Sequence, residues 1–433
     1  MRFQNFPDVV QYLYSKLPYF SRDGKAAYKS DIGNITALVS AIGNPHKKFN
    51  SIHIAGTNGK GSTSHLLAAI FQSANYQKVG LYTSPHLLHF TERIKINGQE
   101  IPESFVTGFV ADNYNLIEQI RPSFVELTGA LAFDWFANQQ VDIAVIETGL
   151  GGRLDSTNII SPLLSVITNI SWDHQDLLGN TLEKIAWEKS GIIKPQTPCV
   201  IGESTSEISA VFRAASIENQ SPLFEAERLG TIEQTQHRWI WKPTNKKEIE
   251  FESPLSGYYQ RFNFRTVLAA IKILQENGVP VSDSAIWEGF SNVVNLTGLR
   301  GRWEVAQRNP MIIVDVAHNR AGVSEIVAQI NRTRHILRWH IVWGMVGDKD
   351  ILPVLELLPQ TPIYYWCAAQ SPRSLPVDKL FQAAQRFGLA GNTYPSVVSA
   401  LKSAINKSQS DDCILITGST FVVAEALQYI KTN

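Results

Sequence analysis

The stretch Asn50-Ser51-Ile52-His53-Ile54-Ala55-Gly56-Thr57-Asn58-Gly59-Lys60-Gly61-Ser62-Thr63 constrains this chain more than any other. Ile52 and Ile54 alternate as in a short buried strand, glycines at 56, 59 and 61 demand a tight turn, and Leu66, Leu67, Ala69 and Ile70 follow at helical spacing. Strand, glycine turn and helix in that order gather backbone N–H groups around one concavity at a helix N-terminus, where they and the helix dipole hold phosphate. In such a loop Lys60 reaches the terminal phosphates, and Ser62 or Thr63 offers a hydroxyl to Mg²⁺. The loop is shorter than the common G-x-x-x-x-G-K-[ST] form and carries an extra glycine, Gly61, after the lysine. A turn that only joined strand to helix would have no packing use for that lysine or for hydroxyls at the helix start.

A chain of 433 residues is too long for one core and calls for two or three domains. Hydrophobic residues at 44% and charged residues at 18% are those of a globular chain able to bury a sizeable core. Lysine plus arginine (39) balance aspartate plus glutamate (39), so no global field recruits nucleic acid or an anionic membrane. Cys199, Cys367 and Cys413 are widely spaced and fit neither a disulfide framework nor a zinc site, which points to a reducing compartment. No leader pattern opens the chain and no apolar stretch approaches membrane-spanning length. The expectation is a cytoplasmic protein with no nucleic-acid or membrane partner, and a monomer, since no coiled-coil or other assembly signal is present.

Two helices open the chain, over residues 6–20 and around Ile35–Ile42, and the polar loop between them offers Ser30 or Asp31 as an N-cap. Val79–Leu87 is a short strand running into Ser84-Pro85, where Ser84 either faces the phosphate site or serves as a turn residue. The apolar run 141–146 ends on Glu147 and is followed by Gly149, Gly151 and Gly152. An acid at a strand end is placed to accept Mg²⁺ directly or through water, and the glycines let backbone approach a ligand closely. A second such strand, Leu164–Ile170, runs into Asp173-His174, a candidate metal or phosphate contact. The helix over 181–195 ends in glycine then proline, and Lys189 in its last turn complements the dipole. Residues 231–251 suggest a β-hairpin, two helices follow through Val294, and Gly298–Arg302 reads as a linker. Beyond it, strands at 311–316, 341–343, 363–367 and 413–417 alternate with helices, giving a second, smaller Rossmann-like domain without a dinucleotide fingerprint. The fold class is therefore α/β: a P-loop-type ATPase domain with a parallel-rich sheet over 1–297, and the smaller domain over 298–433.

In order and spacing, several motifs together resemble the folylpolyglutamate synthase/dihydrofolate synthase family of the Mur ligase superfamily. They are Ala55–Ser62, Thr83-Ser84-Pro85-His86-Leu87, Glu147–Asn158, Asp173-His174, Glu188–Lys194, Gly301-Arg302-Trp303-Glu304 and Asp315-Val316-Ala317-His318-Asn319. The resemblance covers nearly the whole chain. It implies two Mg²⁺ ions held by Ser62, Ser84, Glu147 and His174, with Lys60, Glu147, His174 and Lys189 as the catalytic set and Lys189 at a position carbamylated in the family. It implies ATP contacts from Asn58, Gly59, Lys60, Gly61, Ser62, Asn263, Arg302, Asp315 and His318. The pterin end of a folate or dihydropteroate substrate would lie near Lys29, Ser30, Asp31, Phe124, Glu126, Leu154, Asp155 and Ser156. Tyr259 stands where the family pattern commonly has histidine.

The implied reaction is ATP-dependent ligation of L-glutamate through an acyl phosphate, because a carboxylate is a poor electrophile until phosphorylated. Two alternatives are a Mur-type ligase acting on a cell-wall precursor and a non-catalytic nucleotide-binding switch. The first is disfavoured because only about fifty residues, read as helices, precede the glycine loop. Polar strand ends in the second domain argue against the other.

Overall fold

The computed structural model describes residues 3, 5–19, 22, 31–235, 238–244, 247–347 and 349–432. They divide into two compact units, one of Met1–Ser171, Gln175–Pro254 and Gln260–Leu299, the other of Trp172–His174, Leu255–Tyr259 and Arg300–Asn433. A single cut at 297/298 therefore misses two short segments that leave the first unit's chain and pack with the second. Membership of this kind follows from tertiary contacts, which no linear boundary signal reports. Among the described residues no helix is long and apolar enough to cross a membrane.

In the first unit, β1 (Asn50–Ala55), β2 (Val79–Tyr82), β3 (Ile94–Ile96), β4 (Gln99–Glu100), β5 (Ile143–Glu147), β6 (Leu164–Ile167), β7 (Cys199–Ile201) and β8 (Leu223–Glu225) form one sheet in the order β4-β3-β2-β5-β1-β6-β7-β8. The pairs from β2 through β8 are parallel, and β3 and β4 run antiparallel at one edge. β1, β5 and β6 are buried on both faces, which is why they read as near-continuous apolar runs. From β1 the chain turns towards β2 on one side, and from β6 towards β7 on the other. That reversal opens a crevice beyond the carboxyl ends of β1 and β6, the usual ligand position in open α/β sheets. The Lys60–Ser73 helix leaves β1 there and packs on the Asp283–Thr297 helix, where Gly289 admits Ile70: a Cβ would stand 2.6 Å from Ile70 Cα. The expected hairpin is a three-stranded antiparallel sheet of β9 (Gly230–Gln234), β10 (Trp239–Pro243) and β11 (Ile249–Phe251).

The second unit holds β12 (Glu304–Arg308), β13 (Met311–Val314), β14 (Arg338–Trp343), β15 (Ile363–Trp366), β16 (Gly391–Thr393) and β17 (Asp412–Thr417) in the order β12-β13-β17-β14-β15-β16. All pairs are parallel except β12 with β13. The edge strands β12 and β16 carry no apolar period: they are short, polar and half-exposed, so only pairing with a neighbour defines them.

Candidate active site

The loop after β1 is held open by backbone geometry. Gly56 has φ +148° and Gly59 φ +84°; a Cβ at the first would lie 1.8 Å from Thr168 Oγ1, and at the second 2.1 Å from Asn263 Oδ1. The loop is fastened to the end of β6: Thr57 N–H donates to the Asn169 carbonyl at 2.9 Å, Asn58 N–H to Asn169 Oδ1 at 2.9 Å, and Thr168 Oγ1 to the Asn58 carbonyl at 2.6 Å. The helix begins at Lys60, so the N–H groups of Lys60, Gly61 and Ser62 fall in a first turn that has no acceptor within the helix. Lys60 Nζ donates to the Gly56 and Thr57 carbonyls at 3.1 and 3.3 Å, and Lys189 Nζ, buried, donates to the same Gly56 oxygen at 2.8 Å. Two ammonium groups thus converge on one acceptor, an arrangement suited to an anion.

Ser62 Oγ accepts from Gln260 Nε2 at 3.3 Å, and Gln260 Oε1 accepts from Asn263 Nδ2 at 2.7 Å. Asn263 is therefore beside the loop, and Gln260, which with Asn263 keeps the family pattern but was not among the expected contacts, links it to Ser62.

Glu147 ends β5 and is 3% exposed; Ser84 N–H lies 3.4 Å from its Oε2. Ser62, Ser84 and Glu147 offer two hydroxyls and one carboxylate, and the described residues hold no cluster of three or more His, Cys, Asp or Glu able to hold a metal. One carboxylate with hydroxyls, the remaining positions left to water and phosphate, fits Mg²⁺ bound along with a nucleotide rather than an all-protein cage. His174, the fourth expected ligand, lies in the Trp172–His174 segment that belongs to the second unit, at φ +49° with its N–H on Asp173 Oδ1 at 2.9 Å.

The residues expected at the pterin end are mostly engaged within the first unit. Asp155 accepts from Leu150 N–H at 2.9 Å, Thr157 N–H at 2.9 Å and Thr157 Oγ1 at 2.5 Å; burial pushes its carboxyl up, against these donors. Since that hydroxyl proton goes to Asp155, His53 Nε2, 2.8 Å from Thr157 Oγ1, is the donor in its own contact. His53 is wholly buried, and burial, with Lys194 adding to it, pushes its pKa down to about 3. Leu154 is half-buried, and Ser156 Oγ donates to the Val125 carbonyl at 3.3 Å. Phe124 is fully buried against Tyr14 and Tyr19. Glu126 closes a capping box: its Oε2 accepts from Ser123 N–H at 2.7 Å at the start of the Phe124–Gln139 helix. Asp31 Oδ1 accepts from Gly33 N–H at 2.7 Å, a local turn before the Gly33–Ala41 helix rather than its N-cap. Lys29 and Ser30 lie outside the described residues.

Within the second unit Asp315 follows β13 and accepts from Tyr259 Oη at 2.6 Å, Trp303 N–H at 2.8 Å and Ala317 N–H at 2.9 Å; burial raises its pKa against these donors. Tyr259, the departure from the family pattern, thus has a defined partner. Arg302 Nη1 donates to the Gly301 carbonyl at 3.1 Å, and His318 Nδ1 to the Val316 carbonyl at 2.9 Å. Asp173 accepts from Lys349 Nζ and, at 3.1 Å, from Asn319 Nδ2, with His318 Nε2 at 3.5 Å. Burial pushes its carboxyl up, but the hydrogen bond from His318 and the charges of His174, Lys349 and His318 hold it well below the usual range.

Comparison with known proteins identifies the family. Residues 54–273 match the model of the Mur ligase middle domain, and residues 301–420 that of the Mur ligase glutamate ligase domain. A Bacillus subtilis protein named dihydrofolate synthase/folylpolyglutamate synthase is 31% identical over 99% of this chain and 100% of its own length. The structure of Escherichia coli FolC in complex with DHPP and ADP matches with a TM-score of 0.88 at 29% identity, over 99% of this chain and 98% of that one. A bifunctional folylpolyglutamate synthase/dihydrofolate synthase with Mn, AMPPNP and L-glutamate bound matches with a TM-score of 0.84 at 26% identity, covering 99% and 98% of the two chains. With the glycine loop, the strand-end carboxylate and the full-length likeness together, the chain belongs to the dihydrofolate synthase/folylpolyglutamate synthase family of Mur ligases.

Proposed function

We propose that this ATP-dependent carboxylate–amine ligase joins L-glutamate to folates, and to dihydropteroate, through an acyl phosphate. The carrying observation is the loop after β1, a glycine turn at a helix N-terminus with Lys60 and Lys189 turned onto the same Gly56 carbonyl. Neighbours solved with DHPP and ADP, and with Mn, AMPPNP and L-glutamate, support the same assignment of ligands.

The substrate carboxylate attacks the γ-phosphorus of ATP, ADP leaves, and the amine of glutamate then displaces phosphate from the acyl carbon. Both steps gather negative charge on phosphoryl oxygens. Backbone N–H groups at Lys60–Ser62 and the Lys60 ammonium would meet that charge and act by electrostatic stabilisation. Two Mg²⁺ ions, held by Ser62, Ser84, Glu147 and His174, would supply Lewis-acid neutralisation of the same oxygens. Carbamylation of Lys189 would replace one of two converging cations by an anion, relieving their repulsion. Asn58, Gly59 and Asn263 line the nucleotide loop, and Arg302, Asp315 and His318 supply the second unit's nucleotide contacts. Phe124, Glu126, Leu154, Asp155 and Ser156, with Lys29, Ser30 and Asp31, frame the pterin end. The protein works as a monomer.

The test is phosphate release by the purified protein with MgATP and L-glutamate, comparing dihydropteroate with tetrahydrofolate. Turnover with both is expected. Turnover with tetrahydrofolate alone confines the enzyme to tail extension, and silence with both overturns the assignment.

A further inference from the structure

The loop that follows Glu147 and the helix that carries Lys189 are locked together by contacts with no part in holding a nucleotide. The Leu182–Ser190 helix is short, and a helix of nine residues draws its order from tertiary contacts. Its last carbonyls have no partner within the helix. Arg153 N–H supplies one, reaching the Glu188 carbonyl at 2.7 Å. The Arg153 side chain then grips the same turn twice: Nη2 donates to Glu188 Oε1 at 2.8 Å, and the guanidinium lies 4.4 Å from the centre of the Trp187 ring. Two glycines allow this approach. A Cβ on Gly152 would be 2.8 Å from the Glu188 and Lys189 carbonyl oxygens, and one on Gly191 would be 2.4 Å from Arg153 Cα. Asn158 Nδ2 closes the junction from the side, bonding the Arg153 and Gly191 carbonyls at 3.0 Å each.

Arg153 Nε and Glu188 Oε2 are buried with no hydrogen-bond partner among the described residues, so the ion pair has a single prong. A buried polar atom left without a partner gives back part of what the other prong gains. What the arrangement does fix is the rotation of the turn from which Lys189 Nζ reaches the Gly56 carbonyl.

We propose that Arg153 is a positioning residue for Lys189, acting with Trp187 and Glu188 as a clamp that caps the helix end and sets the direction of the Lys189 side chain. Lysine in place of Arg153 keeps the charge but loses the planar face and the fork that hold ring and carboxylate together. The kinetic consequence rests on the catalytic role proposed above for Lys189, and the structural consequence does not.

The experiment compares wild type, Arg153→Lys, Glu188→Gln and the double variant for main-chain hydrogen exchange, kcat and KM. Trp187→Leu, which removes only a half-exposed stacking surface, replaces Arg153→Lys should that variant not fold. Exchange at Lys189, Ser190, Ile192 and Ile193 is expected to quicken about tenfold or more while distant amides stay unchanged. Turnover should fall about ten- to a hundredfold with KM values held, since a small misplacement near the chemistry acts on kcat. The double variant should lose no more than the worse single one, because both act through one turn. Exchange unchanged in both single variants, or losses in kcat that multiply in the double, overturns the clamp. Lys189→Ala is measured alongside: full turnover by that variant removes the catalytic role of Lys189, and exchange alone then decides the clamp.

Discussion

Lys60 and Lys189 share one acceptor, yet they reach it from 4 and 133 residues away along the chain. The first contact is a local consequence of a lysine in a glycine turn; the sequence made legible that lysine in the loop, and Glu147 at the end of an apolar run, but not the carbonyl the lysine meets. The second depends on which helix end folds onto the loop. Lys60→Ala and Glu147→Ala are each expected to lower phosphate release about a hundredfold or more while the thermal midpoint stays within a few degrees of the wild type. A folded Glu147→Ala protein with near-normal ligation would remove Glu147 from the metal set. Tyr259→Phe tests a residue whose role only the structure defines: Asp315 keeps two main-chain donors but loses the hydroxyl. Denaturant unfolding should register a loss of about 1–3 kcal/mol, the cost of removing one donor from a buried carboxylate.

At the scale of elements, the glycine loop and the start of the Phe124–Gln139 helix both rest on local chemistry. Gly59 must hold φ +84° with Asn263 Oδ1 where a Cβ would stand. Gly59→Ala should therefore abolish ADP binding in calorimetry, since both backbone strain and a clash open the cradle. Glu126, an expected pterin contact, also closes the Ser123-x-x-Glu126 capping box through its Oε2. Ser123→Ala is expected to lower stability by about 1 kcal/mol without altering the KM for the pterin substrate, checked by unfolding and by steady-state kinetics. β12 and β16 escaped the sequence because an edge strand needs only one neighbour and no buried face.

At the scale of the whole molecule, buried histidine links folding to acidity. Unfolded, His53 takes up a proton around pH 6.5; folded, its pKa is pushed down to about 3. Across that interval the unfolded chain binds one proton more than the folded chain, so stability falls as pH is lowered from about 6.5 towards 3. The slope from this one group approaches about 1.4 kcal/mol per pH unit. His53→Gln should flatten the acid limb of unfolding free energy against pH by that amount; an unchanged limb would show that His53 is protonated in the folded protein. The sequence by itself determined the strand, glycine loop and helix at 50–73, the acid at the end of β5 and the alternation of strand and helix in both units. These are local signals, written in side-chain period and turn chemistry within a dozen or so residues. Only the tertiary structure decided that Lys189 meets Gly56, that Gln260 meets Ser62 across 198 residues, that Arg153 grips the helix end beside Lys189, and that Trp172–His174 packs with the second unit. Those pairings depend on the order in which parallel strands are laid into a sheet, and strand order is set by crossovers whose partners lie far apart in the chain.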